Sequence, residues 1–146
     1  EDLLNYLEEH NSPCAASRTK IYSRDRNLWH ISHEGGSMED PWNAPPDDVW
    51  MLTKSVEETP NEPAEVMLGF EKGRCRRLNG EALPPDEIVA RLNTLAGEHG
   101  VGRIDIIENR LVGMKSRGCY ETPGGTVIAE ALRALEEPTL DRETLH

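Results

Sequence analysis

Two stretches of this 146-residue chain concentrate groups able to do chemistry. Between Val101 and Tyr120, the cations Arg103, Arg110, Lys115 and Arg117 outnumber Asp105 and Glu108, inside a chain whose formal charge is −11. Arginine forks match carboxylates and phosphates, and Gly102, Gly113 and Gly118 let backbone approach a ligand closely. The pattern suits a small anionic or zwitterionic ligand, and equally a solvated basic loop paired with neighbouring carboxylates. The second stretch, Ser23 to Gly36, gathers Asp25, Asn27, His30, Ser32, His33 and Glu34 around Leu28 and Trp29. Such dense polarity beside a strand also reads as a site.

Several chemistries are disfavoured by spacing. His30, His33 and Glu34 run in the order H-x-x-H-E, which matches neither H-E-x-x-H nor H-x-x-E-H, and an alternating strand sends the two histidines to opposite faces, so no metal is expected. No G-x-S-x-G elbow surrounds Ser23 or Ser32. Cys119 has Arg117 nearby to lower its pKa but no histidine base in view, and reads as a buried or incidental thiol. Gly124-Gly125-Thr126 offers backbone N–H groups to an anion or, equally, is an ordinary helix start.

The elements that must position these groups are short and mixed. Leu3, Leu4 and Leu7 form one stripe of a helix over residues 2–10, ended at Asn11-Ser12-Pro13. Cys14 to Lys20 reads as a linker, with a unit boundary near residue 20. The prolines at 41, 45 and 46 mark a loop, and Val49 to Thr53 reads as a strand. Val66, Leu68 and Phe70 alternate with Glu65, Met67 and Gly69, and the turn signals Lys72-Gly73 and Asn79-Gly80 make this a hairpin or meander. After Pro84-Pro85, Ile88, Val89, Leu92, Leu95 and Ala96 recur at helical spacing, with Gly97 or Gly100 available as the stop. Ile104, Ile106 and Ile107 form a short strand, a glycine-rich basic loop is expected from there to Gly125, and a last helix carries Ile128, Leu132 and Leu135 until Pro138 stops it. Strands and helices without a repeating β-α unit imply an α+β fold with a modest core.

The acidic balance repels phosphate backbones and anionic lipid, so no nucleic-acid or membrane partner is expected. Cys14, Cys75 and Cys119 are odd in number and widely spaced, giving neither a disulfide framework nor a zinc pattern, as suits a reducing cytosol. No apolar run approaches the roughly 20 residues of a membrane span, and the acidic start is unlike a signal peptide. The first residue is not Met, which suggests a start inside a longer chain.

Four segments together carry a resemblance: YSRDRNLWHISHEGG at 22–36, EDPWNAPP at 39–46, GVGRIDIIENRLVGMKSRGCYETPGGT at 100–126 and PTLDRETLH at 138–146. From about Ile21 onward the chain resembles the argininosuccinate synthase family. That family condenses citrulline with aspartate: the ureido oxygen of citrulline attacks the α-phosphate of ATP, pyrophosphate leaves, and the aspartate amine displaces AMP. The resemblance implies residues 1–20 as helix and linker from the end of a nucleotide-binding domain, and 21–146 as an incomplete synthetase domain. It places Ser23, Ser32, Glu108 and Tyr120 on citrulline contacts, assigns no catalytic side chain, and implies ATP with Mg, aspartate and citrulline as ligands of a cytoplasmic homotetramer.

The family's glycine-rich S-G-G-L-D-T-S loop for pyrophosphate has no counterpart in this sequence, nor has the C-terminal extension used in tetramer formation. His33, Cys119 and the segment Cys14 to Arg18 also depart from the family pattern. A piece of an active ligase is therefore the first expectation, with the isolated chain inactive. A non-catalytic binding or assembly module reusing the fold is the alternative.

Overall fold

Turn chemistry and side-chain alternation set most of the elements in the computed structural model, which describes residues 2–14 and 22–145. The boundary expected near residue 20 lies outside the described residues. Along the chain come α1 (Asp2–Glu9), β1 (Ser23–Arg26), β2 (Ile31–Glu34), β3 (Leu68–Glu71), β4 (Arg74–Leu78), β5 (Glu81–Ala82), α2 (Pro85–Glu98), β6 (Arg103–Asn109), β7 (Lys115–Glu121), α3 (Pro123–Thr139) and α4 (Arg142–Leu145). The fold is α+β, with two antiparallel sheets ordered β1-β2-β7-β6 and β3-β4-β5. Among the described residues, no helix is long and apolar enough to cross a membrane.

The meander forms as the turn residues require. Lys72 and Gly73 sit at φ 51° and 73°, and Asn79 and Gly80 at φ 50° and 85°, the left-handed pairs that close two-residue hairpins. Leu78 from this sheet packs with Ile88 and Leu92 of α2, and Val66, Leu68, Val127 and Ile128 surround them. Helix α2 opens with Pro85 and the acidic Asp86 and Glu87, which favour the positive helix start. It closes through Gly100 at φ 67°, which lets the Val101 N–H return to the Ala96 carbonyl at 2.9 Å.

Three expectations are corrected. Val49 to Thr53 is not a strand. A 3-10 turn spans Asp47–Val49, and the N–H groups of Met51, Leu52 and Thr53 bond the carboxylate of Glu121 rather than a neighbouring strand. The basic segment before Gly125 is not a loop, because its residues 115–121 are strand β7, paired with β2 on one side and β6 on the other. Its charged side chains and Gly118 conceal the strand in the sequence, since strand propensity depends on what the pleat packs against. Pro138 does not stop the helix expected to be the last, α3, which the short α4 follows, but lies within its final turn. There the turn still closes through the Leu140 N–H to the Glu136 carbonyl, and the Thr139 hydroxyl donates to Leu135 O.

Candidate functional site

Register in the four-stranded sheet decides which side chains can meet. Ser23 lies opposite Glu34, and Ser32 opposite Tyr120, which in turn lies opposite Ile104. Further along, Gly118 opposes Ile106, and Ser116 opposes Glu108. Because strand side chains alternate between faces, Ser23, Ser32, Glu108 and Tyr120 all project from one face of the sheet. The other face carries Ile31, His33, Cys119 and Glu121, all buried, and Cys119 packs there with Met38 and Val49.

The first face is open and mixed in character. Ser23 is exposed, while Ser32, Glu108 and Tyr120 are half-buried. The Tyr120 hydroxyl donates to Glu108 Oε1 at 2.7 Å. Burial, together with that bond to a carboxylate, pushes the Tyr120 phenol up to about 12. Glu108 is thus held by Tyr120 and not by the neighbouring arginines. Arg110 instead reaches Glu34 at 2.6 Å, and Arg117 forks onto Asp105 with both bonds at 2.7 Å. At the start of β1, Ser23, Glu34, Arg110 and Ser116 are among the residues that line a cavity of about 200 Å³. Ile104 and Ile106, 50% and 41% exposed, add an apolar strip beside Tyr120 and Gly118. A carboxylate, three hydroxyls and an apolar strip on one wall suit a polar ligand with an aliphatic stem. A larger cleft, about 680 Å³ beside Arg26, Asn27, Met51 and Asn93, includes none of the four expected residues.

The local positive charge read from the sequence is largely consumed by structure. Arg103 donates to the Thr53 hydroxyl at 2.6 Å and to the Thr53 carbonyl, and its guanidinium lies 4.6 Å from the Trp50 ring centroid. Arg117 also donates to the carbonyls of Pro41 and Asn43, fastening the proline-rich loop under the sheet. Lysine cannot reproduce that planar fork. Arg117→Lys is therefore expected to leave the fold intact while amide exchange at Met38 and Asn43 speeds several-fold; unchanged exchange would remove Arg117 as the fastener.

His33 and Glu121 form the buried support beneath the site. His33 Nδ1 accepts from Arg24 Nε–H at 3.2 Å, and its Nε2–H donates to Glu121 Oε2 at 2.8 Å. Both ring nitrogens are thereby engaged. Burial opposes the charge on Glu121, but the Thr53 hydroxyl, the Met51 and Leu52 N–H groups and His33 outweigh it and hold the carboxyl below its ordinary range. Sequence reasoning missed Glu121, although period-2 counting from the buried Cys119 places it on the core face. The Cys119 thiol, buried and near Asp105, is pushed up to about 11, and it donates to Met38 Sδ at 3.6 Å. The arginine expected to activate it is paired with Asp105. At the start of α3, the Gly124 N–H donates to Asn93 Oδ1, so this glycine serves the packing of α3 on α2. Among the described residues, no group of three His, Cys, Asp or Glu side chains is placed to hold a metal.

Residues 22–146 match a family model described as the arginosuccinate synthase C-terminal domain. The argininosuccinate synthase of Shewanella pealeana is 63% identical over 142 residues, covering 97% of this chain and 34% of its own. That of Pseudoalteromonas atlantica is 61% identical over 145 residues, covering 99% of this chain and 35% of its own. The chain thus spans about a third of the length of the relatives it matches. An identity near 60% along nearly the whole chain, together with the domain match, bears out the resemblance carried by the four sequence segments, and the chain belongs to the argininosuccinate synthase family.

Proposed function

We propose that the open face of the β1-β2-β7-β6 sheet is the citrulline wall of an argininosuccinate synthase, an AMP-forming ligase joining citrulline to aspartate with ATP and Mg. The observation that supports this reading is the convergence of Ser23, Ser32, Glu108 and Tyr120 on one face, with Tyr120 bonded to Glu108. On the same reading, residues 1–20 close a nucleotide-binding domain, residues 21–146 belong to the synthetase domain, and the whole protein works as a cytoplasmic homotetramer. ATP and aspartate are then held mainly by parts of the protein outside this sequence.

The work left to these residues is binding and orientation, which supplies much of the rate when two zwitterions and a nucleotide must meet. With Glu108 Oε1 taken by Tyr120, Oε2 is the acceptor for an ammonium or ureido N–H of citrulline. A carboxylate accepting from the ureido N–H groups polarises that group toward its oxygen, the atom that attacks phosphorus. Ser23 and Ser32 can each donate and accept, fixing the other end of the ligand.

Isothermal titration of the chain with citrulline tests this. Loss of a hydrogen bond to a charged group is worth about 1.5–3 kcal/mol, so Glu108→Ala is expected to weaken citrulline binding about 10- to 100-fold. A folded chain that takes up no citrulline, or a Glu108→Ala variant that binds as wild type, would overturn the assignment and favour a non-catalytic module.

A further inference from the structure

We infer that Gly118 is a positioning residue of this site: its missing side chain is the seat across which the Tyr120 ring lies so that the hydroxyl reaches Glu108. The binding consequences rest on the citrulline reading above, whereas the geometry does not.

A glycine at this place needs a reason. Strand β7 is central, paired along both edges, and glycine weakens a strand interior because it costs backbone entropy and packs no side chain. Left-handed backbone does not explain it, since Gly118 is absent from the positive-φ glycines, which include the neighbouring Gly102 and Gly113. What explains it is the space over its Cα. A Cβ built at position 118 would lie 2.8 Å from Tyr120 Oη, 2.9 Å from Cε2 and 3.0 Å from Cζ. Residues 118 and 120 share a face, so the Tyr120 side chain leans back along its own strand, over Gly118, toward the row that holds Ser116 and Glu108.

The ring is rigid, so a methyl group at 118 can be relieved only by turning the whole ring about χ1 or χ2. The hydroxyl sits at the far end of that lever and moves most. A 2.7 Å O–H···O bond weakens steeply once distance and angle leave their narrow range. Gly118 thus sets the orientation of the Glu108 carboxylate without touching a ligand, by way of Tyr120.

Three measurements decide this. In the wild-type chain, a nuclear Overhauser contact between a Gly118 Hα and the Tyr120 ring is expected; its absence would overturn the inference whatever any variant does. In ¹³C-tyrosine spectra, wild-type Tyr120 should titrate above the ordinary tyrosine range, since burial and the bond to Glu108 push it up, and in Gly118→Ala it should titrate at a lower pH than in wild type. An unchanged titration would overturn the inference. In citrulline titrations, Gly118→Ala should weaken binding about tenfold in wild type, the equivalent of one hydrogen bond, and add little in a Tyr120→Phe background. An equal loss in both backgrounds would make Gly118 a merely structural residue. A wild-type chain that ignores citrulline would sink the proposed function, and the contact and tyrosine spectra would still judge Gly118.

Discussion

Glu121→Ala is expected to destabilise the chain by about 3–5 kcal/mol, because it removes the shared acceptor of several buried hydrogen-bond donors at once, read as a lowered urea midpoint. Glu121 is fully buried. It accepts from His33 Nε2, from the N–H groups of Met51, Leu52 and Thr53, and from the Thr53 hydroxyl, at 2.6–2.9 Å. Alanine would leave those donors without their acceptor, and the His33 and Thr53 groups among them are buried; each buried unsatisfied group costs about 1–3 kcal/mol before relaxation. The pH dependence follows from the lowered pKa. A carboxyl depressed in the folded state stabilises the fold above its unfolded value, near 4.5, and loses that contribution as pH falls through the folded value. Wild type should therefore lose stability below about pH 4.5 more steeply than Glu121→Gln. A midpoint for Glu121→Ala equal to that of wild type would show that the loop at 51–53 does not depend on this carboxylate.

The same network explains which parts of the fold were legible in the sequence. The two turns at 72–73 and 79–80 and helix α2 are written locally, in left-handed turn residues and in 3.6-residue periodicity, and they form where expected. Val49 to Thr53 has the composition of a strand, yet its hydrogen-bond partner is a single side chain about 70 residues away, which no local pattern records. Strand β7 was hidden for the converse reason. Lys115, Arg117 and Gly118 are poor strand formers, and the pairing of β7 with strands on both sides overrides them. At the site, Ser23, Ser32, Glu108 and Tyr120 came from the family resemblance, but their shared face follows from register alone. The 12-residue separation of Glu108 and Tyr120 becomes a contact only once the intervening segment is a hairpin.

Gly97→Ala is the sharper test of how the site is supported, because helix propensity predicts the opposite sign. Within a helix, alanine is favoured over glycine by about 1 kcal/mol. Gly97 lies inside α2, however, and a Cβ there would sit 2.1 Å from the carbonyl oxygen of Leu52, a backbone atom that no rotamer change can move aside. The Lys54 N–H also bonds the Gly97 carbonyl at 2.9 Å, so the loop lies directly against the helix at this point. The variant is expected to lose about 2–3 kcal/mol, as overpacked interiors do. The route of that loss matters more than its size. Pushing Leu52 away pulls Met51, Leu52 and Thr53 off Glu121, so Gly97→Ala and Glu121→Ala damage the same loop. Their combined cost should fall short of additivity by about 1 kcal/mol, within the range for coupled neighbours. A Gly97→Ala variant as stable as wild type would mean that the loop yields freely, and the buried carboxylate beneath Tyr120 would then anchor nothing that α2 holds in place.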